Sequence, residues 1–200
     1  MIAIVDYGMG NLRSVEKAFE YLGAQVKVTS NPGDILNSDA VVLPGVGAFA
    51  DCMDRLISTG LDKAVAGLIE QGKPYLGICL GLQVLFEKSY EGGENAGLGL
   101  IKGEIVRLPD EVKVPHIGWN QLDVKQENPL LKGIAGNPNV YFVHSYHATS
   151  KEDVVVATTD YGTDFTSFIC KENIYGVQFH PEKSGKIGLK ILGNFLEIIK

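Results

Sequence analysis

Residues 74–85 of this 200-residue chain read PYLGICLGLQVL, and this segment decides the fold. The run from Pro74 to Ile78 is typical of a buried strand, and the residues from Cys79 through Leu85 are typical of a helix. Glycines stand two residues before and two residues after the cysteine, and a glycine backbone tolerates strained turns and close neighbours. The segment therefore predicts a strand, a sharp turn and a helix, with a cysteine at the turn.

Strands and helices alternate on both sides of this segment through the first half of the chain. Residues 2–5, 25–29 and 40–43 are short apolar runs typical of buried strands. Apolar residues recur at helical spacing from Val15 to Leu22 and from Leu61 to Ile69. Such alternation predicts parallel strands joined by right-handed crossovers, and hence a layered α/β sheet.

The second half of the chain has a different pattern, with strand-like segments separated only by turns and a last helix over residues 186–199. We expect the strand-like segments to form antiparallel extensions of the sheet: Gly103–Leu108, Val140–His144, Val154–Thr158, Phe165–Lys171 and Ile174–Gln178. No linker or repeat interrupts the chain. The prediction is one α/β domain over residues 1–200, layered αβα, with a mostly parallel central sheet and antiparallel extensions.

Composition excludes several classes of function. A hydrophobic content of 45% with 21% charged residues is typical of a soluble globular protein. The net charge of −6, the pI near 5.2 and the lack of a Lys/Arg-rich run argue against nucleic acid as a partner. The first residues do not resemble a signal peptide, and no apolar run reaches the roughly 20 residues that span a bilayer. Three cysteines, an odd number, indicate a reducing cytoplasm rather than a disulfide framework.

Cys79 is the candidate nucleophile. The predicted turn places its sulfur at a helix N-terminus, where the helix dipole favours a thiolate and free backbone N–H groups can bind an oxyanion. The alternative is that Cys79 is a small buried apolar residue, as most free cysteines are. Cys52 and Cys170 keep that interpretation, because no pair of glycines flanks either of them.

A cysteine nucleophile needs a base, which is usually a histidine held by a third group. His116 and His147 have no acid close by in sequence, and His144 could be a satisfied core or turn histidine. His180 follows a strand-like run and is followed by Pro181 and Glu182. The proline fixes the backbone, so that the carboxylate of Glu182 can set the tautomer of the ring and stabilise an imidazolium.

A glycine-rich loop follows the strand at residues 40–43 and partly imitates a dinucleotide-binding motif. Gly45, Gly47 and Ala50 fit the pattern G-x-G-x-x-A, but the loop follows the third strand and Pro44 stands where a tight glycine turn is expected. No acid for a ribose follows the next strand. A better use of this loop is to supply an N–H that completes an oxyanion hole with the Leu80 N–H.

The cysteine turn, the upstream glycine loop and the late His-Pro-Glu sequence together resemble the class I, or triad, glutamine amidotransferases, over essentially the whole chain. Finer features are similar to the glutaminase subunits of imidazole glycerol phosphate synthases, from histidine biosynthesis. These features are the segments 6–11, 43–49, 118–120, 141–146 and 180–184.

The resemblance implies a role for each matching residue. Cys79 attacks the side-chain amide of glutamine, His180 moves a proton to the departing ammonia, and Glu182 orients His180. Water then hydrolyses the glutamyl thioester. Val46 and Leu80 supply the oxyanion N–H groups within a hole that includes Gly47, the Val46 N–H after a peptide flip. The residues expected to hold glutamine are Gly45, Gln83, Glu91, Ser145 and Tyr146.

The resemblance also implies a partner, a cyclase subunit with a (β/α)8-barrel fold that receives the ammonia in a heterodimer. It implies no cofactor and no metal. Candidate contacts with the partner, for which ordinary surface or core positions are the alternative, are Asn11, Arg13, Trp119, Asn120 and Lys183.

Three other hypotheses stay open at this point. The chain could be a glutaminase subunit of another amidotransferase, a stand-alone cysteine hydrolase on a similar fold, or a binding module without turnover. A binding module usually has a broken triad, whereas Cys79, His180 and Glu182 are all present. A stand-alone hydrolase has no obvious need for the glycine loop together with Gln83.

Overall fold

The computed structural model of the chain describes residues 1–199, and Lys200, the last residue of the predicted domain, lies outside the described residues. Within this range no helix has both the length and the apolarity needed to cross a membrane. The α-helices are α1 (Leu12–Tyr21), α2 (Pro32–Leu36), α3 (Phe49–Thr59), α4 (Leu61–Glu70), α5 (Leu80–Gln83) and α6 (Gly185–Ile199).

The strands of the first half alternate with these helices, and those of the second half follow one another. They are β1 (Ile2–Val5), β2 (Val26–Thr29), β3 (Ala40–Gly45), β4 (Tyr75–Cys79), β5 (Phe86–Ser89), β6 (Asn95–Ala96), β7 (Ile101–Arg107), β8 (His116–Gln121), β9 (Asp123–Val124), β10 (Asn139–His144), β11 (Tyr146–Ser150), β12 (Val155–Asp160), β13 (Asp164–Lys171) and β14 (Ile174–Val177).

A twelve-stranded sheet forms the centre of the fold, in the order β2-β1-β3-β4-β14-β13-β11-β7-β5-β6 with β12 and β9 branching from β13. The first five strands in this order, β2-β1-β3-β4-β14, are parallel to one another. β13, β11 and β7 continue the sheet with antiparallel pairings. This arrangement confirms the predicted α/β class, in which a parallel sheet is followed by antiparallel extensions.

The helices cover both faces of the sheet because successive residues of each parallel strand point to opposite sides. Ala3 and Val5 of β1 belong to an apolar cluster that includes the buried faces of α3 and α4. Ile2 and Ile4 belong to the opposite cluster, which includes the buried faces of α1 and α6. The layers are therefore helix, sheet and helix, as predicted.

Residues 140–144 were expected to extend the central sheet, and this expectation is wrong. They lie in β10, which pairs with β8 along six residues, from Asn139 opposite Gln121 to His144 opposite His116, in a separate two-stranded sheet. The alternation of buried and exposed residues in β10 indicates a strand with one buried face. It does not specify the partner, because any strand with a complementary apolar face could pair with it.

The helix after Cys79 is also shorter than predicted, and α5 ends at Gln83 rather than continuing through Leu85. The carbonyl oxygen of Val84 accepts a hydrogen bond from the Leu98 N–H. The Leu85 carbonyl oxygen accepts from the N–H groups of Leu100 and Ile101. Because these carbonyls are bound by a distant segment, the chain leaves the helix and enters β5.

Candidate active site

The carboxyl ends of three parallel strands meet at one edge of the sheet. Gly45, the last residue of β3, lies opposite Cys79, the last residue of β4. Val177 of β14 lies opposite Ile78 on the other side of β4, so the residues after β14 also emerge beside Cys79. This pairing brings together the glycine loop, the cysteine and the segment that contains His180. Ligands bind at such an edge in many α/β proteins.

The turn at Cys79 is strained and closely packed. Cys79 has φ 56° and ψ −105°, a conformation that is unusual for a residue other than glycine. A Cβ atom at Gly81 would lie 1.8 Å from the carbonyl oxygen of Leu43, and one at Gly77 would lie 2.4 Å from the carbonyl oxygen of Gly81. The Tyr75 hydroxyl donates to the Gly81 carbonyl at 2.6 Å. Both glycines are therefore required by the contact between α5 and the strands beneath it.

His180 and Glu182 form a buried pair beside Cys79. The distance between His180 Nδ1 and Glu182 Oε1 is 2.9 Å, and both side chains are almost fully buried. Burial lowers the pKa of His180, but hydrogen bonds and charge interactions with Cys79 and Glu182 outweigh burial and raise that pKa to about 10. The arrangement therefore favours an imidazolium held between a sulfur and a carboxylate.

Three hydrogen bonds hold the backbone of His180, and we refer to them as the His180 backbone bonds. The His180 N–H donates to the Tyr141 carbonyl oxygen at 2.8 Å. The Tyr141 N–H donates to Ser184 Oγ at 2.9 Å, and that hydroxyl donates to the His180 carbonyl oxygen at 2.7 Å. The His180 backbone bonds connect β10 to the segment that follows β14.

The other three histidines are neutral and have ring nitrogens that are already engaged. His144 lines the cleft, but its Nδ1 lies 3.0 Å from the Tyr146 carbonyl oxygen and must donate to it. Its Nε2 then accepts from His116 Nδ1 at 3.0 Å. Burial lowers the pKa of His144 to about 3 and that of His116 to about 4, and it also lowers the pKa of His147. These features favour His180 as the base.

The glycine loop after β3 lies across the site from His180. Val46 is 42% exposed, and Gly47 has φ +102° with the Met9 side chain packed where a Cβ atom would stand. Leu80 begins α5, so its N–H has no partner within that helix. Val46, Gly47 and Leu80 all line the cleft that contains Cys79.

A cleft of about 230 Å³ joins these groups. Its lining includes nine residues that the sequence predicted for the site, and these are Val46, Gly47, Cys79, Leu80, Gln83, Glu91, Ser145, Tyr146 and His180. Gly45 lies behind the lining, buried between the Tyr7 hydroxyl and Leu80. Glu182 is also behind it, in contact with His180.

The structure adds residues that the sequence analysis did not select. Pro115, Val143 and His144 line the cleft. Gln178 is fully buried, and its Nε2 lies 3.5 Å from Cys79 Sγ. One signal for Gln178 was present in the sequence, since a polar side chain two residues before His180 interrupts an otherwise apolar strand.

The candidate partner contacts lie at the same side of the sheet or on the small β8–β10 sheet. Asn11 and Arg13 are exposed at the start of α1, and Lys183 lines the cleft. Trp119 is 57% exposed and packs edge-on against Tyr141. Asn120 donates from its side chain to the Asp160 carbonyl oxygen at 2.9 Å, so it has an internal partner.

No cluster of three His, Cys, Asp or Glu side chains that could hold a metal ion occurs among residues 1–199.

The chain belongs to the class-I glutamine amidotransferases, because the family model described as "Glutamine amidotransferase class-I" matches residues 3–199. The resemblance inferred from the sequence is thereby confirmed, and the chain is an enzyme of this class. Within the class it belongs to the family of imidazole glycerol phosphate synthase subunit HisH. It is 55% identical to that subunit of Caldanaerobacter subterraneus subsp. tengcongensis, with 100% of this chain and 99% of that protein covered.

Other relatives agree with this assignment. The imidazole glycerol phosphate synthase subunit HisH of Methanothermobacter thermautotrophicus is 54% identical, and both chains are covered completely. Among solved structures, PurLQS from Thermotoga maritima matches with a TM-score of 0.79 at 21% identity, covering 100% of this chain and 98% of that chain. At that identity the likeness shows a common fold.

Proposed function

We propose that the chain hydrolyses glutamine to glutamate and ammonia through a thioester on Cys79 and supplies the ammonia to a cyclase that forms imidazole glycerol phosphate in histidine biosynthesis. One observation carries this proposal. The cleft brings the sulfur of Cys79, the buried pair of His180 and Glu182, and the glycine loop into one space. Family membership indicates glutamine as the substrate, and the geometry of the cleft supports attack by Cys79 with His180 as the base.

The first half of the reaction forms the thioester. The reactive form is an ion pair, in which Cys79 is a thiolate and His180 carries the transferred proton on Nε2, because Glu182 engages Nδ1. The thiolate attacks the carbonyl carbon of the glutamine side-chain amide, and the N–H groups of Leu80 and Val46 bind the resulting oxyanion. His180 then gives its proton to the leaving nitrogen, the C–N bond breaks, and ammonia departs.

The second half of the reaction releases glutamate. A water molecule loses a proton to the now neutral His180 as its oxygen attacks the thioester carbon. The C–S bond breaks, the thiolate of Cys79 and the imidazolium of His180 are restored, and glutamate leaves. Glu182 stabilises the imidazolium at each stage, because its carboxylate is buried against the ring.

Glutamine is held by polar side chains that line the cleft. Both hydrogens of Gln83 Nε2 are directed at protein acceptors, the Tyr146 carbonyl oxygen at 2.9 Å and Gln178 Oε1 at 3.0 Å. Gln83 therefore offers its carbonyl oxygen to the ligand, and that atom suits the α-ammonium group. Glu91 accepts from the Phe49 N–H at 2.8 Å and adds negative charge for the same group.

The proposed partner is a (β/α)8-barrel cyclase subunit that forms a heterodimer with this chain. Three large apolar side chains are exposed on the glycine loop and on β8, namely Val46, Ile117 and Trp119. Several exposed apolar side chains on one surface mark a protein interaction site more often than a single exposed side chain does. The three cysteines of residues 1–199 are free, which is consistent with action in a reducing cytoplasm.

The test is labelling with a glutamine-analogue electrophile, followed by mass spectrometry of the peptides. We expect one adduct on Cys79 and protection by glutamine. We also expect Cys79→Ser to abolish glutamine hydrolysis, because a serine beside histidine is a far weaker nucleophile than a thiolate. Thermal unfolding of the variant is the control for its fold.

Absence of an adduct on Cys79 in the presence of the cyclase would contradict the glutaminase assignment. Hydrolysis retained by Cys79→Ser would mean that another residue attacks the amide. A chain that binds the analogue reversibly but never turns over glutamine, with or without the cyclase, would be the binding module considered above.

A further inference from the structure

The helix α5 stabilises a negative charge on the Cys79 sulfur only weakly. α5 is one turn of four residues, and the dipole of a helix is the sum over its peptide units. The Cys79 thiol also points to the Val143 carbonyl oxygen at 3.7 Å. That contact favours the protonated sulfur, because a carbonyl oxygen repels a thiolate. Stabilisation of the thiolate therefore depends on donors from other elements.

A chain of amide groups determines which atom of Gln178 faces the sulfur. The Gln83 atom 2.9 Å from the Tyr146 carbonyl oxygen must be a donor, so it is Nε2. The same Nε2 lies 3.0 Å from the Gln178 side chain, so the atom of Gln178 that meets it is the acceptor Oε1. Gln178 Nε2 is then the atom that lies 3.5 Å from Cys79 Sγ.

The position of Gln178 is fixed by the sheet. β14 is hydrogen-bonded to β4 from Ile174 to Val177, and Gln178 is the next residue, beside Cys79. The Gln178 N–H donates to the Ser167 carbonyl oxygen at 2.9 Å, which continues the pairing with β13. The side chain is fully buried, so water cannot take the place of its amide.

We propose that Gln178 is a further catalytic residue, whose side-chain N–H donates a hydrogen bond to the Cys79 sulfur and stabilises the thiolate. The proposal rests on the proposed function, in which that thiolate attacks glutamine. In the step concerned the S–H bond breaks, the proton binds His180 Nε2, and the electron pair stays on sulfur. The contact with Val143 is then lost, whereas the contact with Gln178 strengthens, because hydrogen bonds to charged acceptors are stronger than those to neutral ones.

The test measures the alkylation rate of Cys79 by iodoacetamide as a function of pH in Gln178→Met. Methionine has a similar length and no amide. The experiment uses a Cys170→Ser background, because Cys170 is partly exposed whereas Cys52 is fully buried. We expect the pH of half-maximal alkylation to rise by about 1 unit, and alkylation below that pH to slow about 10-fold. Glutaminase kcat falls by a similar factor.

A second variant, Gln178→Glu, keeps the acceptor for Gln83 Nε2 and replaces the donor beside the sulfur with a negative charge, so the alkylation midpoint rises at least as far as in Gln178→Met. If Gln178 only positioned Gln83 for substrate, KM would rise in Gln178→Met and the alkylation midpoint would stay unchanged in that variant. That outcome would overturn the proposal.

A measurement on the unsubstituted chain does not depend on how either variant folds. The side-chain ¹⁵N–H resonances of Gln178 are followed while pH is raised through the alkylation midpoint. We expect them to move in the unsubstituted chain and to stay in place after alkylation of Cys79; resonances that stay in place in both samples would also overturn the proposal. Neither readout needs glutamine or the cyclase, so a failure of the proposed function would appear separately, as missing glutamine hydrolysis.

Discussion

At the scale of single residues, the charge on His180 is the property on which the site depends. Its ring is buried, and burial alone would keep it neutral. Glu182 on one side and Cys79 on the other reverse that preference. The charge on His180 therefore depends on both of its neighbours.

Protonation of His180 makes the stability of the protein depend on pH. The pKa is raised from 6.5 to about 10 in the folded chain, so its contribution to stability is complete below pH 6.5 and is lost as pH rises to about 10. We expect the free energy of unfolding to fall across this interval, by at most about 1.4 kcal/mol per pH unit from this group. Urea unfolding at a series of pH values from 6 to 10 measures the effect.

Glu182→Gln is the comparison for this measurement. Glutamine keeps an acceptor for His180 Nδ1 but lacks the negative charge, so the pKa of His180 is raised less and the fall in stability with pH is shallower. Other titrating groups are common to both proteins and cancel in the difference. The same pH dependence in both would show that Glu182 does not hold the proton on His180.

The sequence identifies Cys79, His180 and Glu182 because each belongs to a short local pattern. A cysteine between two glycines and a histidine before Pro-Glu can be recognised without knowledge of the fold. Gln178 is marked only as a polar residue in an apolar strand, and that pattern does not indicate what it contacts. Its partners Cys79 and Gln83 are 99 and 95 residues away, and only the pairing of β14 with β4 brings them together.

At the scale of elements, α6 is held close to the His180 segment by a glycine. A Cβ atom at Gly188 would lie 1.8 Å from the Pro181 carbonyl oxygen and 2.8 Å from the Ser184 side chain. We expect Gly188→Ala to push α6 away from this segment, to lower the free energy of unfolding by about 1–3 kcal/mol and to reduce kcat. Chemical unfolding and a glutaminase assay with the cyclase measure the two effects.

Gly193→Ala is the matched control in the same helix. A Cβ atom at Gly193 would lie 3.9 Å from Leu22, which is an ordinary contact. Alanine is the better helix former by up to about 1 kcal/mol, so this variant should be equally or more stable and fully active. Equal destabilisation by both substitutions would exclude the close contact at Gly188 as the cause.

Most elements could be predicted because their periodicity is local, and the exceptions have long-range causes. α5 ends early because residues near 98–101 bind its following carbonyl groups. β8 and β11 were not predicted. β8 is ordered by its pairing with β10, and β11 by its pairing with β7. The periodicity of apolar residues within a segment does not specify which distant segment it pairs with.

At the scale of the whole molecule, an exposed aromatic side chain lies toward each end of the parallel strands. Trp119 is 57% exposed on β8, near the cleft, whereas Tyr21 is 79% exposed at the end of α1. α1 starts after the carboxyl end of β1 and returns to the start of β2, so Tyr21 lies at the opposite edge. The two aromatic side chains form a natural pair of test and control.

We expect Trp119→Ala to weaken binding of the cyclase by about 2 kcal/mol, or about 30-fold in Kd, because buried aromatic residues dominate interfaces. Tyr21→Ala should leave Kd unchanged. Titration calorimetry with the purified cyclase measures both values. Equal affinities for all three proteins would place the interface on another surface.

The His180 backbone bonds connect the surface around Trp119 to the active site. β8 is paired with β10 along its length, and the backbone of Tyr141 in β10 is bonded both to the His180 N–H and, through Ser184, to the His180 carbonyl oxygen. A displacement of β10 therefore displaces the backbone of His180, or one of these bonds breaks. We therefore expect a molecule that binds against Trp119 to act on the backbone of His180 through β8 and β10.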